Sequence, residues 1–401
     1  MPAADQLAQR LGRVATVQAD SRFCDLAKQR AADVIRLHQY WWASAHVNYI
    51  WAERHNYESF FFCIRRCTRC NVSSGPWRVK TVALVPTLAW CKLVAVATIL
   101  TVERYDTVLY LDSDVHIAAT SLPLHALLHP YVWEGDLGDG DDVGASLLFG
   151  CNAPFPRGWP PRIRNHISGE QQQLVHRGPP NSGFFLARNS ARTLQLLRSW
   201  WSVDSHAVVR RRMWPWHQRW QDQGGLWDLM LANGSEAASR IKVLAIPGNA
   251  TSRGLSGWAD RLSKPVVGLS HCFQTMGLLG DDKRARYAAR HPGVEHLDHH
   301  HFKSPEDRTE HVASHLRATL AAQHSDQHTG QPHSKAAGGC RMRLVELKAG
   351  QSEAEGVCDR RLEWARALER SVQSYREERS RCRRPHLSLE TLGEALGLGE
   401  S

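Results

Sequence analysis

Hydrophobic positions along this chain fall into short dense runs rather than one repeating stripe. The sharpest is Asp106-Thr-Val-Leu-Tyr-Leu111, a continuous apolar, β-branched and aromatic run of the kind expected for a strand buried on both faces. Before it, residues 12–19 (GRVATVQA) read as a strand, and a helix-length segment from about Gln29 to His55 is rich in Trp, Tyr and Ala. A short apolar run, Phe60 to Ile64, follows, and a helix from roughly Val79 to Val102 then leads into the sharp run. The longest apolar stretch, Val82 to Leu100, carries Pro86 and Lys92. A mid-span Lys costs roughly 3 kcal/mol on insertion scales, so the stretch reads as a buried helix rather than a membrane span.

Further strands are expected at Val143 to Phe149, Gly183 to Ala187, Ile241 to Ile246 and Val266 to Ser270. Asn189 is expected to cap a helix that puts Leu194, Leu197 and Trp201 on one face. Strands alternating with helices predict an α/β fold. Past about Arg290 the pattern changes, because residues 291–339 hold ten of the 22 His and show no apolar periodicity. They read as a flexible linker. From Cys340 the chain reads as helical, with Ala365, Leu368, Val372 and Tyr375 spaced by 3, 4 and 3. The expected division is therefore a domain over 12–290, a His-rich linker over 291–339 and a helical appendage over 340–401.

Composition narrows the class. A chain of 401 residues, 42% hydrophobic and 22% charged, is not collagenous, largely disordered or a multi-span membrane protein. The net charge of +10 is concentrated, since residues 151–221 contain 11 Arg, no Lys and two acids. That segment also carries Trp159, Trp200, Trp201, Trp214, Trp216 and Trp220, and Arg with Trp suits sugar stacking and anionic groups. No nucleic-acid module accompanies them, so a nucleic-acid partner is not expected. Cys63, Cys67 and Cys70 offer three metal ligands without an obvious fourth, which favours free thiols or one disulfide over zinc. The N-terminal residues lack an apolar signal or anchor, and membrane association is expected only through such an anchor. Three N-x-S/T sequons, at Asn71, Asn233 and Asn249, point toward a secretory lumen.

The candidate chemistry follows the sharp run. Asp112 and Asp114 stand where the buried strand emerges, at the carboxyl edge of the sheet, where α/β folds bind ligands. Carboxylates are costly at a packed strand end unless paired. Oxygen ligands suit a hard divalent cation, which can bridge diphosphate oxygens.

In this frame the chain resembles the GT-A fold nucleotide-sugar glycosyltransferases, and among them glycosyltransferase family 34, with family 8 as near competitor. The likeness runs in order through Asn48-Tyr-Ile-Trp-Ala-Glu-Arg-His-Asn-Tyr57, Trp90-Cys-Lys-Leu93, Leu111-Asp-Ser-Asp114, Asn181-Ser-Gly-Phe-Phe-Leu-Ala-Arg-Asn189, Asp222-Gln223 and His271. The resemblance implies that Asp112, Asp114 and His271 ligate Mn2+ or Mg2+ on the diphosphate of a UDP-sugar, and that Lys92 faces the donor phosphates. It implies that Asn181 and Gly183 line the donor sugar and acceptor, with Asp222 and Gln223 near the anomeric carbon. Asp141 and Asp142 are weaker candidates for acceptor contact. The implied activity is retaining transfer of galactose or xylose to a glycan or glycoprotein acceptor, in the Golgi or another secretory compartment. One departure stands out: the family's Lys shortly after the late His is missing, the first being Lys283. A non-catalytic glycan- or nucleotide-binding relative is the alternative, and a metal-binding protein working through Asp298-His-His-His-Phe302 is a third.

Overall fold

The computed structural model describes residues 4–25, 40–67, 88–129, 132, 145–151, 180–203, 222–223, 225–226, 229, 240–243, 274–276, 294–296, 304–328, 342–349 and 360–379. Its first half runs α1 (Ala4–Leu11), β1 (Val14–Asp20), a 3-10 turn (Ser21–Asp25), α2 (Tyr40–Arg54), β2 (Glu58–Cys67), α3 (Leu88–Val102) and β3 (Thr107–Leu111). Next come β4 (Val115–Ile117), α4 (Leu124–Leu128), β5 (Leu147–Cys151), β6 (Pro180–Arg188), α5 (Ala191–Ser202) and β7 (Ile241–Val243). The rest comprises β8 (Gln274–Met276), β9 (Val294–His296), α6 (Pro305–His328), β10 (Met342–Ala349) and α7 (Arg360–Arg379).

Seven strands form one sheet in the order β10-β2-β1-β3-β6-β5-β7. β10, β2, β1 and β3 run parallel, β5 and β7 run parallel, and β6 is antiparallel to both neighbours, β3 and β5. The α/β architecture expected from the sequence is therefore present, with one reversed strand in a mostly parallel sheet. That reversal matters for the site. It brings the first residues of β6 to the edge where β1 and β3 end, with Leu111 paired to Phe184.

Both faces of the sheet are covered, which is why β3 reads as an unbroken apolar run. Successive side chains point to opposite faces: Val108 and Tyr110 join a core with α3, α5 and α7, whereas Leu109 and Leu111 join a second core with α1 and Trp51. A third core sets Phe61 against Trp41 and Trp42 of α2 and Val312, Leu316 and Leu320 of α6. Helix α3 is buried all round, matching the buried-helix reading of its apolar stretch. Among the described residues no helix is long and apolar enough to cross a membrane.

Several expectations change. Within the expected linker, residues 305–328 form α6, whose apolar side chains at every fourth position pack on α2. The expected appendage contributes β10, an edge strand of the central sheet, and α7, whose Trp364 and Tyr375 lie in the main core. Thr98 of α3 donates to Ser371 of α7 at 2.7 Å inside that core. The buried face of α7 is Trp364, Ala367, Ser371 and Tyr375, whereas Ala365 is exposed and lines an open groove with Leu368 and Val372. The cap of α5 is Ser190, which accepts from Thr193 N, one residue beyond the expected Asn189. Asn189 instead donates its side-chain amide to Tyr105 O at 2.9 Å. Cys63 is bonded to Cys24, and Cys91 is also in a disulfide. The strand expected at 266–270, the three sequons, Asp141, Asp142 and residues 298–302 lie outside the described residues.

Candidate functional site

The acid pair stands where the sheet edge predicts. β3 ends at Leu111, and Asp112-Ser113-Asp114 makes a tight turn in which Val115 N donates to Asp112 O at 3.0 Å. Asp112 N continues the β3–β6 ladder by donating to Gly183 O at 2.7 Å, so the Asn181-Ser-Gly183 stretch lies directly beside the acid pair. For Asn181 only the backbone is described. Helix α2 holds the far side of the turn. Asn48 donates to Val115 O at 2.8 Å and accepts from Ile117 N at 2.9 Å, while Ser44 also donates to Val115 O. Further along the same stretch, Trp51 donates to Leu122 O and Tyr57 accepts from Leu124 N. The sequence from Asn48 to Tyr57 is thus a brace for the segment after the acids.

Lys92 gathers the motifs. It projects from α3 to within 2.7 Å of Asp222 Oδ2 and 3.4 Å of Asp112 Oδ1, and donates to Ser182 O and Ser182 Oγ at 3.0 and 3.2 Å. Its side chain is 2% exposed. The ammonium is thus engaged by two carboxylates and Ser182 below the surface, as a strut between the acids. Burial alone would lower its pKa, and Asp112 with Asp222 overcomes that and raises it. Burial pushes the Asp112 carboxyl up; Lys92 opposes the rise, and Asp114 and Asp222 add to it. Tyr110 donates to Asp112 Oδ1 at 2.6 Å, and burial followed by the Asp112 charge drives its phenol well above the ordinary value.

Asp222 and Gln223 are buried and helical beside this strut. Gln223 Oε1 accepts from Ser182 N at 3.1 Å, and among the described residues its amide nitrogen has no partner. Trp200 donates to Asp222 O at 2.8 Å, and Gly225 leaves room for Trp90, whose ring would lie 2.4 Å from an added Cβ. Trp200 and Trp201 are therefore core residues and not an exposed sugar platform. The remaining Trp residues of the Arg-rich segment, and His271, lie outside the described residues.

A second set of charges at this edge was not expected from the sequence. Asp20, the last residue of β1, is bound in a fork by Arg22 at 2.6 and 2.9 Å and accepts from Ser113 Oγ at 2.6 Å. Arg22 also donates to Ser113 Oγ and Tyr40 OH. Arg308 of α6 lies 3.5 Å from Asp114 Oδ2 and 3.5 Å from the centre of the Tyr40 ring. The available signal was position: Asp20-Ser-Arg22 directly follows a strand, at the ligand-binding edge of an α/β sheet.

The edge so assembled carries four carboxylates, Asp20, Asp112, Asp114 and Asp222, against three cations, Lys92, Arg22 and Arg308. Asp112 and Asp114 remain about a third exposed, at 33% and 29%. Two partly exposed carboxylates in an acidic cluster supply the oxygen type that suits a hard divalent cation. The fold and site define an α/β protein with an acidic cluster at the carboxyl edge of its sheet.

No protein-family model matches the chain, and no curated protein matches it. Two solved structures show some likeness in arrangement. One is a glycosyltransferase involved in the glycosylation of the major capsid of PBCV-1, with a TM-score of 0.38 and 12% identity over 75% of this chain and 98% of that one. The other is the galactosyltransferase LgtC in complex with donor and acceptor sugar analogues, with a TM-score of 0.35 and 14% identity over 76% of this chain and 95% of that one. The functional reading therefore stands on the site's own geometry.

Proposed function

We propose that this protein is a metal-dependent glycosyltransferase of the GT-A fold, moving galactose or xylose from a UDP-sugar to a glycan or glycoprotein acceptor with retention of configuration. One observation carries the reading. The acid pair, the Asn181-Ser-Gly183 strand and the Asp222-Gln223 pair, separated by up to 111 positions in the chain, converge on Lys92. Packing alone gives little reason to gather three polar motifs at one sheet edge.

Asp112 and Asp114, with His271, would hold Mn2+ or Mg2+, and the bound ion would offset charge on the donor diphosphate. Arg22 and Arg308 are the cations beside the acid turn and take the place of the absent Lys after His271. Gln223 offers its amide nitrogen, and Asn181 with Gly183 lines the sugar. Lys92 is a positioning residue that fixes Asp222 and Asp112. Because Asp222 is held in an ion pair it is a poor nucleophile, so the acceptor hydroxyl attacks the anomeric carbon as the bond to the diphosphate breaks. Its proton passes to a diphosphate oxygen. Disulfides at Cys24–Cys63 and Cys91, with the sequons, support an oxidising secretory compartment.

Arg308 on Asp114 favours a second reading, in which the guanidinium substitutes for the metal and the protein binds UDP or glycan without turnover. A donor panel separates them. Purified protein is incubated with Mn2+ and UDP- or GDP-sugars, and nucleotide release is followed. Release that disappears in Asp114→Asn supports the transferase, whereas tight UDP binding with no release from any donor supports the binding protein.

A further inference from the structure

His116, His311 and His315 offer ring nitrogens that all lie within 4.8 Å of one another. His116 belongs to β4, two residues beyond Asp114, while His311 and His315 occupy successive turns of α6. Their ring centres lie 5.0 to 6.3 Å apart, and none of the three takes part in the glycosyl-transfer reading. We propose that these three histidines form a second metal site, selective for a nitrogen-preferring divalent ion of the Zn2+ type, that clasps α6 to the strand following the acid turn.

The chemistry differs from that of the acid pair. Neutral imidazoles suit Zn2+, Cu2+, Ni2+ or Co2+, whereas carboxylates suit Mg2+ and Mn2+. His at i and i+4 of a helix puts two ligands on one face. A third ligand from another element completes the three-protein-ligand arrangement, with the fourth position open to water. A tetrahedral ion with bonds of about 2.1 Å sets ligand nitrogens roughly 3.4 Å apart. Closing the present spread to that spacing would require the two half-buried helix rings to turn toward the buried His116. The clasp also has a register. Arg308, one turn ahead of His311, meets Asp114 as His311 and His315 meet His116, so the ion would fix the helix that brings Arg308 to the donor edge. These residues are distinct in sequence from His299, His300 and His301, the tract that composition singles out.

The full chain, stripped with chelator, is titrated with Co2+ and then Zn2+, reading the visible d–d absorption of tetrahedral Co2+ and the bound ions per chain after dialysis. The expected result is a tetrahedral signal retained in His299→Ala/His300→Ala/His301→Ala and in Asp112→Asn/Asp114→Asn, and lost in His311→Gln/His315→Gln. The urea midpoint of the metal-free His311→Gln/His315→Gln protein should match that of metal-free wild type, showing that the loss is of ligands and not of fold. An undiminished signal in that variant overturns the proposal, as does a signal lost on replacing His299, His300 and His301.

Discussion

Replacing Lys92 by Met keeps the stem of the side chain and removes the charge that holds the site together. The Nζ to Asp222 Oδ2 distance is 2.7 Å, with the partners only 2% and 9% exposed. At an effective dielectric of about 20, that pair is worth roughly 6 kcal/mol of gross attraction. Desolvation consumes much of it, but the cost of breaking the pair from one side is about 3–5 kcal/mol, because Asp222 stays buried without its counter-charge. Asp112, a third exposed and 3.4 Å away, adds less, since solvent screens it. Lys92→Met is therefore expected to lose about 3–5 kcal/mol, a large share of a typical total of roughly 5–15 kcal/mol. The double variant Lys92→Met/Asp222→Asn removes both charges and should recover most of that loss. Urea unfolding followed by far-UV circular dichroism gives the double-mutant cycle. A Lys92→Met cost below about 1 kcal/mol, or single-variant costs that simply add, would refute the strut.

Other expectations are equally specific. Asp112→Asn should raise the Tm of the metal-free protein at pH 7: burial, Asp114 and Asp222 raise this carboxyl's pKa, so folding is penalised as pH rises through that value. The same substitution should abolish stabilisation by Mn2+ in thermal melts. His46, buried and stacked on Trp42, has its pKa lowered by burial to about 4. The unfolded chain therefore binds more protons below pH 6.5, and wild type should lose about 3 kcal/mol more than His46→Gln between pH 6.5 and 4 in urea titrations. Cys63→Ser opens a loop spanning 39 residues and should cost about 4 kcal/mol in the same measurement. Gly225→Ala forces the Trp90 ring away from an added Cβ. It should cost roughly 1–3 kcal/mol and lower donor turnover by displacing Asp222 and Gln223.

Legibility in the sequence followed the locality of each signal. Strand β3 and the acids after it were readable because burial on both faces leaves a continuous apolar run that ends abruptly in charge. Helix α6 was hidden by its polar and His-rich composition, although Val312, Leu316 and Leu320 stand four apart. Strand β10 pairs in parallel with β2, almost 300 residues earlier in the chain, and a parallel pair across such a distance leaves no turn signal to read. The ion pair of Lys92 with Asp222 joins residues 130 positions apart, and no local pattern announces it. The Cys24–Cys63 bridge was missed for the same reason, since the sheet creates the proximity of its partners, whereas the Arg22 fork on Asp20 is local and its signal was its place at the end of a strand.

The central claim is that the Asp112-Ser113-Asp114 turn, backed by Lys92, is a metal-dependent nucleotide-sugar site. Calorimetric titration of UDP with and without Mn2+ tests it most directly. Wild type should bind UDP about tenfold or more tightly with Mn2+, a coupling of at least ~1.4 kcal/mol, and Asp112→Asn/Asp114→Asn should lose that dependence. UDP affinity indifferent to Mn2+ in wild type, or a Mn2+ dependence that survives the double substitution, would contradict the account.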